Sequence, residues 1–246
     1  MTKPKARGGV RVGQGSPDHA LTLAYLPLGL LIAIVLASLY SFAFHLGFIP
    51  PLISLGLLVV LIAAVGLVTR QFSPSAAAGT RQTLAHMGLV CLLGGIAAAS
   101  PTEFPPLMLW SLTAIAAAAA GIILVEAWIA EIINAAGPFS RRMGREANGL
   151  LVLSVAVLLW RSGKVDGWVV ATGAVHYVAL ALSFALPAQR QDAPVTWRPY
   201  ARVAMVAALI LALAPVVPPI VATGLGAIAL VLALAGVTAD ISATRS

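Results

Sequence analysis

Residues 106–133, PLMLWSLTAIAAAAAGIILVEAWIAEII, are apolar over nearly their whole length and carry two carboxylates, Glu126 and Glu131. A helix of about 20 such residues crosses a hydrocarbon core roughly 30 Å thick. The run from Ala116 to Ala120 has only methyl side chains and is followed by Gly121, which favours close helix packing in lipid. This stretch therefore predicts a transmembrane helix at the centre of a helical bundle.

Similar apolar blocks lie on both sides of this stretch. The chain is 60% hydrophobic and 9% charged, whereas about a quarter of the residues in a soluble domain are charged. Prolines and polar clusters divide it into apolar spans at 22–44, 49–69, 84–100, 106–133, 147–161, 167–187, 200–215 and 218–238. The sequence predicts an all-α integral membrane protein with about eight transmembrane helices.

The basic residues are distributed unevenly between the two sides of the predicted bundle. With the amino terminus inside, all fifteen Lys and Arg residues except Arg161 and Lys164 face the cytoplasm, as expected for cytoplasmic loops. The basic clusters lack interleaved aromatic residues, so the net charge of +7 is a topology signal and no nucleic-acid partner is expected. We expect a multi-pass protein of a bacterial-type inner (plasma) membrane, with both termini cytoplasmic.

Ionisable groups inside a membrane are costly, so each one is a candidate for function. Glu126 lies about two turns inside the end of the fourth span, and Glu146 and Asn148 open the fifth span. The segment between them contributes three arginines, Arg141, Arg142 and Arg145. This pattern predicts a cytoplasm-facing cavity in which carboxylates hold a cation and arginines hold a phosphate or lipid head group. The alternatives are a structural role for Glu126 and a purely topological role for the arginines.

The order of these parts resembles the CDP-alcohol phosphatidyltransferase family of integral membrane enzymes. GTRQTLAH at 79–86 is similar to the family's entry segment, and the likeness continues through FSRRMGREANGLLVLSVAVLLWRSGK at 139–164, His176-Tyr177 and LALAPVVPP at 211–219. The resemblance implies a six-helix membrane domain at 84–239 and a two-helix extension at 22–69. The polar residues 70–86 form either an interfacial segment or a solvated loop. Residues 1–21 and 240–246 are then cytoplasmic tails.

The family's signature, D-x-x-D-G-x-x-A-R-x8-G-x-x-x-D-x-x-x-D, is largely replaced in this chain. With Ala130 on the motif alanine, the four aspartate positions carry Ile123, Glu126, Gly144 and Asn148. The family's aspartates bind divalent metal, and the last one activates the attacking hydroxyl. Ile123 and Gly144 offer no metal ligand, and Asn148 is not a base at neutral pH. Mg²⁺ or Mn²⁺ would therefore depend on Glu126, with help from Glu146, and would bind weakly or not at all.

The resemblance implies a protein related to phospholipid synthesis that is catalytically degenerate and binds an anionic or nucleotide-linked lipid. The enzyme alternative is an active one-metal phosphotransferase that moves a substituted phosphate from a CDP-alcohol to an alcohol and releases CMP. Its candidate catalytic residues are Glu126, Glu146 and Asn148. A membrane scaffold or transporter is the third alternative. Because the family commonly forms dimers, the resemblance also implies a homodimer or a heterodimer with an active relative.

Overall fold

The structure is a computed structural model that describes residues 31, 33–69, 77–99, 103–133, 138–185 and 198–243. Within these residues the regular structure is entirely helical, which confirms the all-α prediction for this part of the chain. The α-helices are α1 (Ala33–Ala43), α2 (Ile49–Thr69), α3 (Ala77–Ala99), α4 (Pro106–Ile133), α5 (Pro138–Arg161), α6 (Ala171–Ala185), α7 (Arg198–Leu213) and α8 (Pro219–Ala243). A short 3-10 helix, Gly167–Val170, precedes α6.

Proline marks the start of three of these helices. Pro106, Pro138 and Pro219 are the first residues of α4, α5 and α8. Proline is tolerated there because the first N–H groups of a helix have no intrahelical acceptor, and its fixed φ suits the first turn. The fixed φ of proline and its missing N–H therefore favour the starts of α4, α5 and α8 at these three residues.

Two helices begin earlier than the apolar spans indicated. α3 starts at Ala77, so residues 77–86 of the expected interfacial segment are continuous with the third span, while residues 70–76 lie outside the described part. α5 starts at Pro138, so Arg141, Arg142 and Arg145 lie within the helix. Arg145 therefore has a fixed helical relationship to Asn148, three residues along.

The central helices of the bundle are α3 and α5. α5 packs on α2, α3, α4, α6 and α7, and α3 packs on α2, α4 and α5. The alanine-rich α4 packs on α3, α5 and α7, and its place at the centre of the bundle stays a prediction. Ala116 and Ala119 are buried in the core, but Ala117 and Ala118 are exposed. Only one face of the alanine run contacts neighbouring helices.

Two helical stretches are both long and apolar enough to cross a membrane. They are Met143–Arg161 in α5, of which 67% is buried within the protein, and Pro219–Thr238 in α8, of which 17% is buried. The other apolar helical stretches among the described residues span 10–17 residues each. The described part of the chain thus contains two candidate membrane-spanning helices, and a total of eight crossings stays a prediction.

Candidate anion-binding site

A cleft of about 180 Å³ lies among α5, α6, α7 and α8. These helices form a ring in which α5 packs on α6, α6 on α8, α8 on α7, and α7 on α5. α5 and α6 line the cleft with residues that are three or four positions apart. Residues at this spacing lie on one face of a helix. These residues are Arg145, Asn148, Gly149 and Val152 on α5, and Thr172, Val175, His176 and Ala179 on α6.

Arg145 of α5 and Arg202 of α7 line this cleft from two different helices. Both arginines are exposed, so they mark its open end. Guanidinium groups bind phosphate through paired, charge-assisted hydrogen bonds. No Asp or Glu side chain is among the described residues that line the cleft, and the nearby Glu146 carboxylate lies against His176 of the lining.

Two buried polar side chains also line the cleft. Asn148 is 8% exposed and Thr172 is 1% exposed. The Asn148 Oδ1 and Thr172 Oγ1 atoms have no hydrogen-bond partner within the part of the chain that the structure describes. A buried polar atom without a partner costs about 1–3 kcal/mol. Both atoms are fully enclosed, so a molecule in the cleft reaches them only if neighbouring side chains move.

His176 lines the cleft and faces Glu146 of α5. The His176 Nε2 atom is 3.5 Å from the Glu146 Oε2 atom, and Glu146 is buried. The imidazole also packs edge-on against Tyr177, with ring centroids 5.2 Å apart. The Glu146 carboxylate is thus placed beside an imidazole, and it does not line the cleft.

Two glycines allow α5 and α6 to approach closely enough for this arrangement. A Cβ atom on Gly149 would lie 2.2 Å from the His176 Cδ2 atom, and one on Gly173 would lie 2.4 Å from the Leu153 Cα atom. These contacts show that α5 and α6 run antiparallel. Thr172, next to Gly173, therefore lies near the level of Leu153, roughly 12 Å along α5 from Arg145 at 1.5 Å per residue.

The structure brings together part of the site predicted from the sequence. Arg145 and Asn148 line the cleft, and Glu146 lies beside it. Arg141 and Arg142 are near the start of α5 and Glu126 is in α4, but their side chains lie outside the described ones. Of the three arginines predicted to bind phosphate, Arg145 is the one whose side chain the structure describes.

Sequence analysis missed three residues of the site. Arg202 was counted only among the cytoplasmic basic residues, His176 was quoted only as part of the resemblance, and Thr172 was not considered. The signal for the two α6 residues was the four-residue spacing from Thr172 to His176, which places them on one helix face. Arg202 had no comparable signal, because its proximity to Arg145 depends on how α7 packs on α5.

The described residues do not supply the ligands that a pair of divalent cations needs. Hard cations require several oxygen ligands, whereas Gly144 has no side chain and the Glu146 carboxylate faces His176. No group of three or more His, Cys, Asp or Glu side chains converges within the described ranges. We therefore derive no catalytic step through a metal ion.

A scan of protein-family models, a search of curated proteins and a search of solved structures each found no match to this chain.

Proposed function

We propose that this chain is a multi-pass membrane protein whose cleft binds the phosphate of an anionic or nucleotide-linked lipid. In this proposal the bundle is arranged like a CDP-alcohol phosphatidyltransferase that has lost its catalytic activity. The observation that carries the proposal is the placement of Arg145 and Arg202, from different helices, in one cleft beside the buried Asn148 and Thr172.

The outer surface of the bundle supports a lipid environment. Phe42, Phe48 and Ile220 are 81%, 92% and 82% exposed. They are among many exposed large apolar side chains along α1, α2, α4 and α8, and a soluble monomer rarely exposes so much apolar surface. In a lipid bilayer these apolar side chains would not contact water, because hydrocarbon chains would surround them as a protein core does.

The two faces of α8 support the same conclusion. Its buried face consists of small residues, Ala222, Gly226 and Ala229. Its exposed face carries the large apolar residues Ile220, Val221, Ile228, Val231 and Leu234. Small residues inside and large apolar residues outside are typical of helices that pack in membranes and atypical of soluble domains.

The proposed orientation places Arg145 and Arg202 at the cytoplasmic side of a bacterial-type inner membrane, with both termini cytoplasmic. The opposite end of α5 carries Trp160, whose ring centroid is 5.0 Å from the Arg161 guanidinium. Trp168, in the 3-10 helix, is also exposed at this end. Exposed tryptophans and flanking basic residues are common at a membrane interface.

Loss of catalysis is supported by the residues at the family's aspartate positions. Gly144 contributes no ligand, and the amide of Asn148 cannot accept a proton as a base at neutral pH. An arginine pair still binds phosphate without any metal ion. The proposal is therefore a site that retains lipid binding without the chemistry.

Native mass spectrometry of the purified full chain tests the proposal with phosphatidylglycerol and phosphatidylcholine of the same acyl composition. We expect the wild type to retain one phosphatidylglycerol molecule in preference to phosphatidylcholine. Arg145→Gln and Arg202→Gln should each weaken this retention about tenfold or more, since a hydrogen bond to a charged group contributes roughly 1.5–3 kcal/mol.

Arg161→Gln is the matched control, because Arg161 is an exposed arginine that does not line the cleft. It should retain phosphatidylglycerol as the wild type does. Equal retention of the two lipids by the wild type, or an equal loss in all three variants, would contradict the proposal.

A further inference from the structure

Helices α7 and α8 form a hairpin whose turn is rigid. Pro215, Pro218 and Pro219 lie in the turn and at the start of α8, and proline restricts φ to one narrow range. The Val217 N–H donates a hydrogen bond to the Ala214 carbonyl oxygen within the same turn. The two helices also pack on each other. A change in their relative angle would disrupt this turn, so α7 and α8 form one structural unit.

The end of the hairpin that carries the turn is fixed to the rest of the bundle. The Lys164 side chain, which follows α5, donates hydrogen bonds to three carbonyl oxygens at the end of α7. On α8, a Cβ atom at Gly226 would lie 3.3 Å from the Val169 side chain. Ala222 and Ala229 of α8 are fully buried. Both helices are therefore held in place at this end.

The opposite half of the hairpin is less enclosed by the bundle. None of the described residues in the α7 stretch 200–205 or the α8 stretch 230–238 is buried. These two stretches contribute seven residues to the lining of the cleft: Ala201, Arg202, Met205, Leu232, Ala233, Gly236 and Val237. The cleft therefore lies between this half of the hairpin and the face formed by α5 and α6.

We propose that α7 and α8 rotate together about the turn end of the hairpin, and that this rotation closes the cleft on a bound anion. The inference rests on the proposed function and adds a conformational change to it. Arg145 stays with the central helix α5, whereas Arg202 moves with the hairpin. Closure brings the Arg202 guanidinium toward an anion that Arg145 already binds. The structure described above is then the open form.

The length of α7 sets the size of this movement. Arg202 is eleven residues from Leu213, which is about 17 Å along the helix at 1.5 Å per residue. A rotation of about 10° about the turn end therefore displaces Arg202 by about 3 Å. Guanidinium–phosphate hydrogen bonds need donor–acceptor distances of about 2.7–2.9 Å. A displacement of this size thus decides whether Arg202 reaches the anion.

An anion in the cleft favours closure because it attracts both guanidinium groups. It gains hydrogen bonds from Arg202 only in the closed form, so it binds that form more tightly than the open one. A ligand with such a difference in affinity shifts the population toward the form that it prefers. Anion binding and hairpin rotation are therefore coupled.

Distances between paired spin labels test the rotation in the full chain in lipid nanodiscs. Val178→Cys on α6 and Val203→Cys on α7, the cleft pair, place labels at exposed positions on opposite sides of the helix ring. Replacing phosphatidylcholine by phosphatidylglycerol of the same acyl composition should shorten the cleft-pair distance by about 2 Å or more. The native Cys91 is buried and should take up little label.

The matched control is a second pair on the same two helices. Ala171→Cys and Leu211→Cys, the turn pair, are exposed positions near the turn end of the hairpin. Their distance should be the same in both lipids, because the rotation pivots at this end.

Two arginine variants separate closure on a bound anion from a general effect of anionic lipid. In Arg145→Gln the cleft-pair distance should be the same in both lipids, because no anion is then held opposite Arg202. Arg161→Gln does not alter the cleft lining, and its cleft-pair distance should shorten as in the wild type.

The outcomes separate this inference from the proposed function. If native mass spectrometry shows that the wild type retains phosphatidylglycerol no better than phosphatidylcholine, the proposed function and the inference fall together. Preferential retention with an unchanged cleft-pair distance overturns only the inference. Equal shortening of the cleft pair and the turn pair also overturns it, since the hairpin would then move without rotating. Shortening that persists in Arg145→Gln overturns closure on an anion in the cleft.

Discussion

The imidazole of His176 occupies the space that a side chain at residue 149 would need, because a Cβ atom on Gly149 would lie 2.2 Å from the His176 Cδ2 atom. This contact fixes the distance between α5 and α6 at the level of the cleft. It also holds His176 beside Glu146. Since α5 and α6 carry Asn148 and Thr172, this contact positions the polar interior of the site.

Gly149→Ala should therefore destabilise the protein, because the added methyl group displaces His176 or separates the helices. Overpacking of this kind costs about 1–3 kcal/mol. Thermal unfolding in detergent measures the effect, with Gly121→Ala as the control, since a Cβ atom at Gly121 meets nothing within 4 Å. The control should be unchanged or slightly more stable. In a His176→Ala background the Gly149→Ala change should be tolerated, and an equal cost in both backgrounds would rule out this contact as the cause.

Lys164 links the end of α5 to the end of α7. Its Nζ atom donates hydrogen bonds to the carbonyl oxygens of Ala212 (3.1 Å), Leu213 (3.4 Å) and Ala214. The last carbonyls of a helix lack intrahelical donors and form the negative end of the helix dipole. Burial lowers the pKa of Lys164, while these three acceptors favour its charged form.

Lys164→Met keeps most of the side-chain length and removes all three donors, so it should lower the free energy of unfolding by about 1–3 kcal/mol. Arg161→Met removes a nearby exposed cation and should change stability by less than about 0.5 kcal/mol. Denaturant or thermal unfolding in detergent compares the two variants. If Lys164→Met were as stable as Arg161→Met, the Lys164 contacts would contribute nothing to the fold.

The proposed topology predicts which introduced cysteines react from outside intact cells. Glu103→Cys and Asp166→Cys place a thiol at exposed positions on the proposed outer side, so an impermeant maleimide should label them. Ser73→Cys and Arg142→Cys should be labelled only after permeabilisation. The native Cys91 is buried and gives little background. Labelling with the reverse pattern would overturn the assigned orientation.

Catalytic turnover should be negligible. Release of CMP from CDP-diacylglycerol, measured with a panel of alcohols in Mg²⁺ or Mn²⁺, should stay at background. Single restorations at the motif positions should do almost nothing, because catalytic groups that act as a unit are not additive. The complementary variant combines all four restorations, Ile123→Asp, Glu126→Asp, Gly144→Asp and Asn148→Asp. Turnover in the wild type that Glu126→Ala abolishes would instead favour the one-metal enzyme.

The helices were more predictable from the sequence than their arrangement. Apolar blocks indicate most of the helices, and Pro106 begins both the predicted fourth span and α4. The start of α5 at Pro138 was missed, because its first turns are polar and the apolar block begins only at residue 147. The packing of α4 was less predictable, because an apolar sequence does not show which face of a helix contacts its neighbours. Ala117 and Ala118 are exposed, whereas Ala116 and Ala119 of the same alanine run are buried.

Only those residues of the site that lie together on one helix could be predicted from the sequence. The spacing from Arg145 to Asn148 is a property of α5 alone, so both could be identified from the sequence. The placement of Arg202 near them requires α7 to pack on α5. That packing depends on contacts between residues far apart in the chain, which no local pattern encodes.

The most direct test of the central claim is the retention of phosphatidylglycerol by Arg145→Lys, Arg202→Lys and Arg161→Lys in native mass spectrometry. Lysine keeps the positive charge and removes the planar fork that binds phosphate in bidentate geometry. We predict that Arg145→Lys and Arg202→Lys each weaken retention about tenfold, which corresponds to roughly 1.4 kcal/mol, while Arg161→Lys retains the lipid as the wild type does. Wild-type retention in Arg202→Lys and Arg145→Lys would contradict a specific phosphate site and leave both arginines as topology signals.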